Sequence, residues 1–215
     1  MAVTDDSKLS RLYAFFETYG TERLNGLDRS YFEDMTQEEK AQAWDFLLQG
    51  FPDSVDNING LYLLDKLRAI ELFKEALDAP APPSEFPAER KETEINRLLM
   101  LRYVTNSDDD PRYLAMLAEF ARSEFEEVRT QFAQSLSNRN ATAEVVAGLK
   151  GMIYTETERL PLASAITALM DLHGVSYNPF DLDQRAIYMS LRSSEPDEKR
   201  AGMSRLEAIR PLTGA

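Results

Sequence analysis

Apolar residues recur three and four positions apart along nearly the whole chain, the spacing that gathers them on one face of an α-helix. Leu9, Leu12, Phe16 and Tyr19 form the first such stripe. Thr36-Gln-Glu-Glu39 reads as a capping box ahead of Ala43, Phe46 and Leu47, and Phe51-Pro52 ends that helix. Leu63, Leu67, Ile70, Phe73 and Leu77 make the clearest stripe of the first half, with Asp56 or Asn57 as its expected cap. Ile95, Leu98, Leu99, Arg102 and Tyr103 carry the next. Asp110 is placed to cap a helix with Pro111 in its first turn, where a missing N–H does no harm, and Leu114, Leu117 and Phe120 follow. Ser123-Glu-Phe-Glu126 reads as a second capping box before Val128, Phe132 and Leu136. Val145, Leu149, Met152 and Ile153 predict another helix. Thr155-Glu-Thr-Glu158 is expected to cap the one after it, whose stripe is Leu162, Ile166, Leu169 and His173, ending at Gly174. Ile187 and Leu191 mark a short helix, and Pro196 opens the last, which runs through Met203, Leu206 and Ile209 to Pro211. No segment alternates as a half-buried strand would, so the expected class is all-α.

Ala79–Pro87 holds four prolines in nine positions, and no helix crosses such a stretch. It divides the chain into an acidic helical segment, 1–88, and a second region, 89–215. The alternative is a long inter-helix loop inside one continuous domain, 1–215.

From Pro111 onward the predicted helices come in pairs. Val128 to Leu162 is 34 residues and Phe132 to Ile166 is again 34, while Leu149 to Ile187 is 38. A drifting period in the thirties, built from two helices, is the signature of an α-solenoid, in which neighbouring hairpins bury what one hairpin cannot. Asp110-Pro-Arg-Tyr-Leu114, followed by Glu127-Val-Arg129, Phe132-Ala133 and Leu136, resembles a HEAT-type repeat. Leu162-Ala163 with Ile166 and Leu169 is a looser copy without the arginine, and Lys199-Arg200-Ala201 with Leu206 is looser still. The resemblance covers about residues 110–210. It implies a right-handed α-α superhelix of helical hairpins, preceded by an N-terminal helical subdomain, with a curved protein-binding surface. It also implies structural roles for Asp110, as a cap, and Arg129, in a salt bridge between repeats.

The charge changes the picture more than the pattern does. The 215 residues include 24 Lys+Arg and 37 Asp+Glu, for a net charge of −13 and a pI near 4.6. Residues 1–89 hold 18 acids and 8 bases, so most of the excess lies in the first two-fifths of the chain. This disfavours nucleic-acid partners, whose phosphates are held by Lys and Arg. It fits either a solvated surface or a lure for a basic partner, since such a field accelerates encounter. Some HEAT-like proteins are glycosylases of alkylated DNA bases, but those need a basic concave face, which this charge opposes. With 43% hydrophobic residues the chain can still fill a core.

Cysteine is absent, which excludes disulfides, thiol catalysis and thiolate metal sites. The first twenty residues contain no apolar stretch of signal-peptide length. The most apolar later run, Leu160–Met170, is about half of the roughly 20 residues a membrane span needs. The expectation is a soluble, cytoplasmic protein with no membrane partner, in which the sequon at Asn140-Ala141-Thr142 carries no glycan.

Few residues could form a catalytic or metal-binding constellation. His173 is the single histidine; at a helix C-terminus its expected role is structural, beside the negative end of the dipole. Asp53-Ser-Val-Asp-Asn-Ile-Asn-Gly60 faintly resembles a calcium loop, but with Gly60 at the turn position the first and last ligands would be Val55 and Lys66. Asp108-Asp109-Asp110 could attract a divalent cation, although adjacent carboxylates diverge on an extended backbone and an N-cap loop explains them. Glu33-Asp34 and Glu38-Glu39 could act as general acid and base, although helix starts favour acids anyway. No phosphate-binding glycine loop, nucleophile elbow or zinc-protease motif occurs. The expectation is no catalytic residue, no metal and no cofactor.

What remains is a protein-binding module. In size, charge and helicity the chain is similar to HEAT-like immunity proteins of bacterial toxins, and that resemblance implies neutralisation of a basic, nuclease-type toxin domain by direct binding. A helical-repeat adaptor or assembly scaffold is the alternative, and an enzyme with an acidic general acid/base site a third reading. The expected partner-binding residues are Glu33, Asp34, Glu38, Asp53, Asp56, Asp108 and Asp109. Tyr13, Phe15, Phe16, Tyr19, Tyr31, Phe32 and Trp44 are either interface anchors or core.

Overall fold

The computed structural model describes residues 7–18, 25–210 and 212, and these contain helices and no strand. Tyr19 and Pro211 lie outside the described residues. The chain forms two compact units, Met1–Tyr103 and Val104–Ala215.

In the first unit, α1 (Lys8–Glu17) starts at Ser7, whose hydroxyl accepts the Ser10 N–H at 3.1 Å. A 3-10 turn (Arg29–Tyr31) follows, capped by the Asp28 carboxylate. α2 (Gln37–Leu48) opens with the expected capping box: Glu39 N–H donates to the Thr36 hydroxyl at 3.2 Å, and Thr36 N–H donates to the Glu39 carboxylate at 2.8 Å. The predicted stripe from Leu63 to Leu77 is split between two helices. α3 (Val55–Leu64) is capped by Ser54 and α4 (Lys66–Asp78) by Asp65. Leu67 consequently falls in the first turn of α4, 80% exposed, and the expected capping by Asp56 or Asn57 is replaced by Ser54. Asn57 instead reaches backwards, its buried Nδ2 donating to the Leu47 carbonyl at 2.7 Å near the end of α2. It adds a short bond to a helix-end carbonyl whose backbone partner, the Gly50 N–H, is 3.4 Å away.

The N-terminal aromatics are largely core. Phe15, Tyr31, Phe32 and Trp44 are buried, with Phe15 edge-on to Tyr31 and both Tyr13 and Phe16 edge-on to Phe46. Arg68 lies 4.0 Å over the Trp44 ring. Helices α1 to α4 pack each on the next. Pro87 then begins α5 (Pro87–Thr105), so the proline-rich stretch is the connection between α4 and α5 inside the first unit. Tyr103 anchors α5 by stacking on Tyr62 with ring centres 3.9 Å apart and by donating its hydroxyl to Asn59 at 2.6 Å.

The second unit contains α6 (Pro111–Glu119), a 3-10 turn (Phe120–Arg122), α7 (Glu126–Ser135), α8 (Ala143–Thr155), α9 (Arg159–Leu172), α10 (Leu182–Arg192) and α11 (Pro196–Ile209). Asp110 caps α6 through the Arg112 N–H at 2.9 Å, with Pro111 in the first turn. The other two expected boxes do not form. At α7 the residue before the helix is Phe125, and the Ser123 hydroxyl is used by the Phe125 N–H in a tight turn. Thr155 is the last residue of α8, its hydroxyl donating back to the Gly151 carbonyl, and α9 begins behind Glu158 with no side-chain cap. In both places a short polar residue is taken by local backbone first. Helix α6 packs on α8, α7 on α9, and α10 on α11. Val128, Phe132, Leu149, Ile153, Ile166, Leu169, Leu191 and Leu206 lie at or near zero exposure along the predicted stripes.

Candidate functional site

The expected acidic residues fall into separate groups. Glu33 and Asp34 sit on the turn between the first 3-10 turn and α2; Asp34 holds a positive φ of 64° there, and Glu38 follows in the first turn of α2. Asp53 and Asp56 flank the start of α3. Glu33, Asp34, Glu38 and Asp53 are exposed, and their carboxylates make no ion pair among the described residues. In the second unit, Asp108 and Asp109 each have a partner. Asp108 accepts the Asp110 N–H at 3.1 Å, and Asp109 pairs with Arg139 at 3.2 Å. Among the described residues no three His, Asp or Glu side chains converge closely enough to hold a metal ion.

One largely buried ion pair of the second unit is half legible in the sequence. Arg129, expected to form a salt bridge, does so with Glu156, at 2.6 and 3.1 Å, and also donates to the Ser123 carbonyl at 2.9 Å. The side chains are 16% and 5% exposed. Burial pushes the Glu156 carboxyl up, but the Arg129 guanidinium and the N–H groups of Glu158 and Thr157 outweigh it and hold the carboxyl below the ordinary range. A groove of about 430 Å³ opens beside the pair, floored by Ala147, Gly148 and Gly151. Glu156 Oε2 accepts from Arg129 Nε, and Oε1 accepts from Arg129 Nη2 and the N–H groups of Thr157 and Glu158, so the carboxylate ties Arg129 to the start of α9.

Two further polar residues are buried in the second unit, Lys199 and the lone histidine, His173. Lys199 is buried on α11, and its ammonium donates to the Ile153 carbonyl near the end of α8, a cation at the negative end of a helix. His173 follows α9 as its C-cap, buried, with Nδ1 bonded to the Arg210 carbonyl at 2.6 Å. A carbonyl can only accept, so Nδ1 carries the proton. This is the structural role expected for the lone histidine, with Gly174 turning the chain at φ 75° behind it.

No family profile, curated protein or solved structure matches the chain. No helix among the described residues is long and apolar enough to cross a membrane.

Proposed function

We propose that the chain is a non-catalytic binding protein whose acidic surface engages a basic protein, in the manner of an immunity protein neutralising a toxin. The second unit is read as a short HEAT-type stack, α6 with α7, α8 with α9 and α10 with α11. The observation that carries the reading is the set of exposed, unpaired carboxylates, Glu33, Asp34, Glu38 and Asp53, in a chain of net charge −13. An arginine-rich surface would gain charge-assisted hydrogen bonds from them and be steered towards them. Nanomolar binding needs about −12 kcal/mol. An interface near 1,600 Å² with a few anchors supplies that.

A helical-repeat adaptor is the second reading, favoured by Phe180 and Leu182, 91% and 78% exposed at the start of α10. Apolar contacts of that kind bind without strong salt dependence.

The test is recovery of the partner from the source cells on immobilised full-length protein, followed by titration of the two purified components. The expected result is a basic partner bound at about nanomolar Kd, with affinity falling steeply between low and high salt and the partner's own activity suppressed. A neutral or acidic partner held independently of salt would support the adaptor instead. Turnover in a hydrolase or transferase screen, abolished by changing a single acid, would overturn both.

A further inference from the structure

Asp53 stands at the mouth of a groove in the first unit. Three segments wall it: the turn Phe51-Pro52-Asp53 after α2, the proline-rich connection, and one face of α5. On α5 the facing residues are Glu89, Glu92, Thr93, Asn96, Arg97 and Met100, which follow helical spacing and so form one stripe. Two adjoining recesses of about 200 and 280 Å³ share Asp53, Pro82, Thr93 and Asn96. Each lies below the roughly 300–1,000 Å³ of a small-molecule pocket, which suits one or two side chains better than a metabolite.

The lining is graded. One recess is faced by Phe51, Pro52, Ala76, Pro80 and Met100, and the other is edged by Glu89 and Glu92, with Asp53 common to both. Asp53 and Glu92 make no side-chain hydrogen bond or ion pair among the described residues. Glu89 accepts the Ser84 hydroxyl at 2.6 Å. Arg97, the one cation of the lining, donates to the carbonyls of Ala76, Leu77 and Ala79 at 3.3, 2.8 and 3.1 Å. Its guanidinium answers the negative end of α4, and neither Asp53 nor Glu92 is paired with it. Two carboxylates that bond no cation among the described residues thus edge a largely apolar recess, whose own cation, Arg97, is held by the α4 carbonyls.

The complement of that surface is a cation on an apolar stem. A bare metal ion does not fit, because no three carboxylates converge here. A phosphate-bearing ligand is repelled. Lysine and arginine both carry the charge, but only arginine offers a planar fork that two carboxylate oxygens can hold and a flat face that lies against proline and phenylalanine rings. Its methylene stem covers apolar surface while the head stays at the rim.

We propose that this groove receives an arginine side chain from an exposed loop or tail of a basic partner protein, with Asp53 and Glu92 taking the guanidinium and the proline and phenylalanine walls taking the stem. The inference rests on the basic-partner reading above and names where that partner is gripped.

The test uses the full chain and a fluorescent peptide with two arginines among glycines, against otherwise identical lysine and citrulline peptides. At low salt the arginine peptide should bind about fivefold tighter than the lysine one, and the neutral citrulline peptide should not bind. Asp53→Asn with Glu92→Gln should weaken arginine-peptide binding about tenfold or more. Glu17→Gln with Asp45→Asn removes the same charge at exposed positions outside the groove and should change it by less than about twofold. Thr93→Arg, which lodges a guanidinium in the groove from α5, should abolish binding while leaving the helical circular dichroism intact. If the two charge-removing pairs weaken binding equally, the groove is not the grip and this inference alone falls. If neither cationic peptide binds the unaltered chain, the basic-partner reading falls with it.

Discussion

Two glycines three residues apart on α8 offer a controlled test of the second unit's packing. Glycine inside a helix is about 0.8–1.0 kcal/mol less favourable than alanine, because its backbone loses more freedom on folding. A Cβ built on Gly151 meets nothing within 4 Å, since the position faces the open groove. Gly151→Ala should therefore stabilise the protein by close to the full propensity difference, about 0.5–1 kcal/mol. A Cβ on Gly148 would stand 2.9 Å from the Cβ of Ala121, inside contact distance, with the Ala118 carbonyl oxygen at 3.6 Å. Ala121 belongs to the 3-10 turn against which α8 packs, so neither side is a flexible side-chain end that can swing away. Overpacking of that kind costs roughly 1–3 kcal/mol. Gly148→Ala should come out neutral to about 2 kcal/mol destabilising, although its propensity gain is the same. Urea unfolding followed by circular dichroism reads both, and for a chain of this size the stabilised variant should melt about 1–4 °C higher. Destabilisation by Gly151→Ala would show that the groove is closed at that point. Stabilisation by Gly148→Ala would show that α8 does not abut Ala121.

Glu156→Gln should lower stability at neutral pH by up to about 3–5 kcal/mol, the cost of stranding a largely buried Arg129. The Glu156 carboxyl is depressed in the folded state. Its contribution is therefore present above the ordinary carboxyl value of about 4.3 and lost as pH falls through the lower folded value. Urea midpoints of the unaltered chain should fall over that acid range, and those of Glu156→Gln should fall less. Asn57→Ala removes a buried bond to the Leu47 carbonyl, which keeps the Gly50 N–H at 3.4 Å, and should cost about 0.5–1.5 kcal/mol in the same assay. Thr36→Ala breaks a formed capping box and should cost about 0.5–2 kcal/mol. Thr155→Val, at a box that does not form, should stay within about 0.5 kcal/mol.

The all-helical class and most helix positions could be read from the chain, because burial of an apolar stripe at helical spacing is a local property of sequence. Phe132, Ile166 and Leu206 lie where that rule puts them, and Asp110-Pro111 starts a helix because cap and ring geometry are local too. Capping motifs were less dependable. Thr36 caps, whereas Ser123 and Thr155 have their hydroxyls bound by nearer backbone partners, a choice settled by the turn each residue occupies. The acidic excess was visible as composition, but which acids stay unpaired was not. Asp109 finds Arg139 thirty residues away, while Asp53 and Glu92 pair with no cation among the described residues. The same holds for Asn57, Lys199 and the Arg129–Glu156 pair, whose partners lie ten or more residues distant. Chain order carries the short-range spacing that makes helices; only the packed fold brings remote side chains within bonding distance, and that proximity decides which charges are neutralised and which are left to a partner.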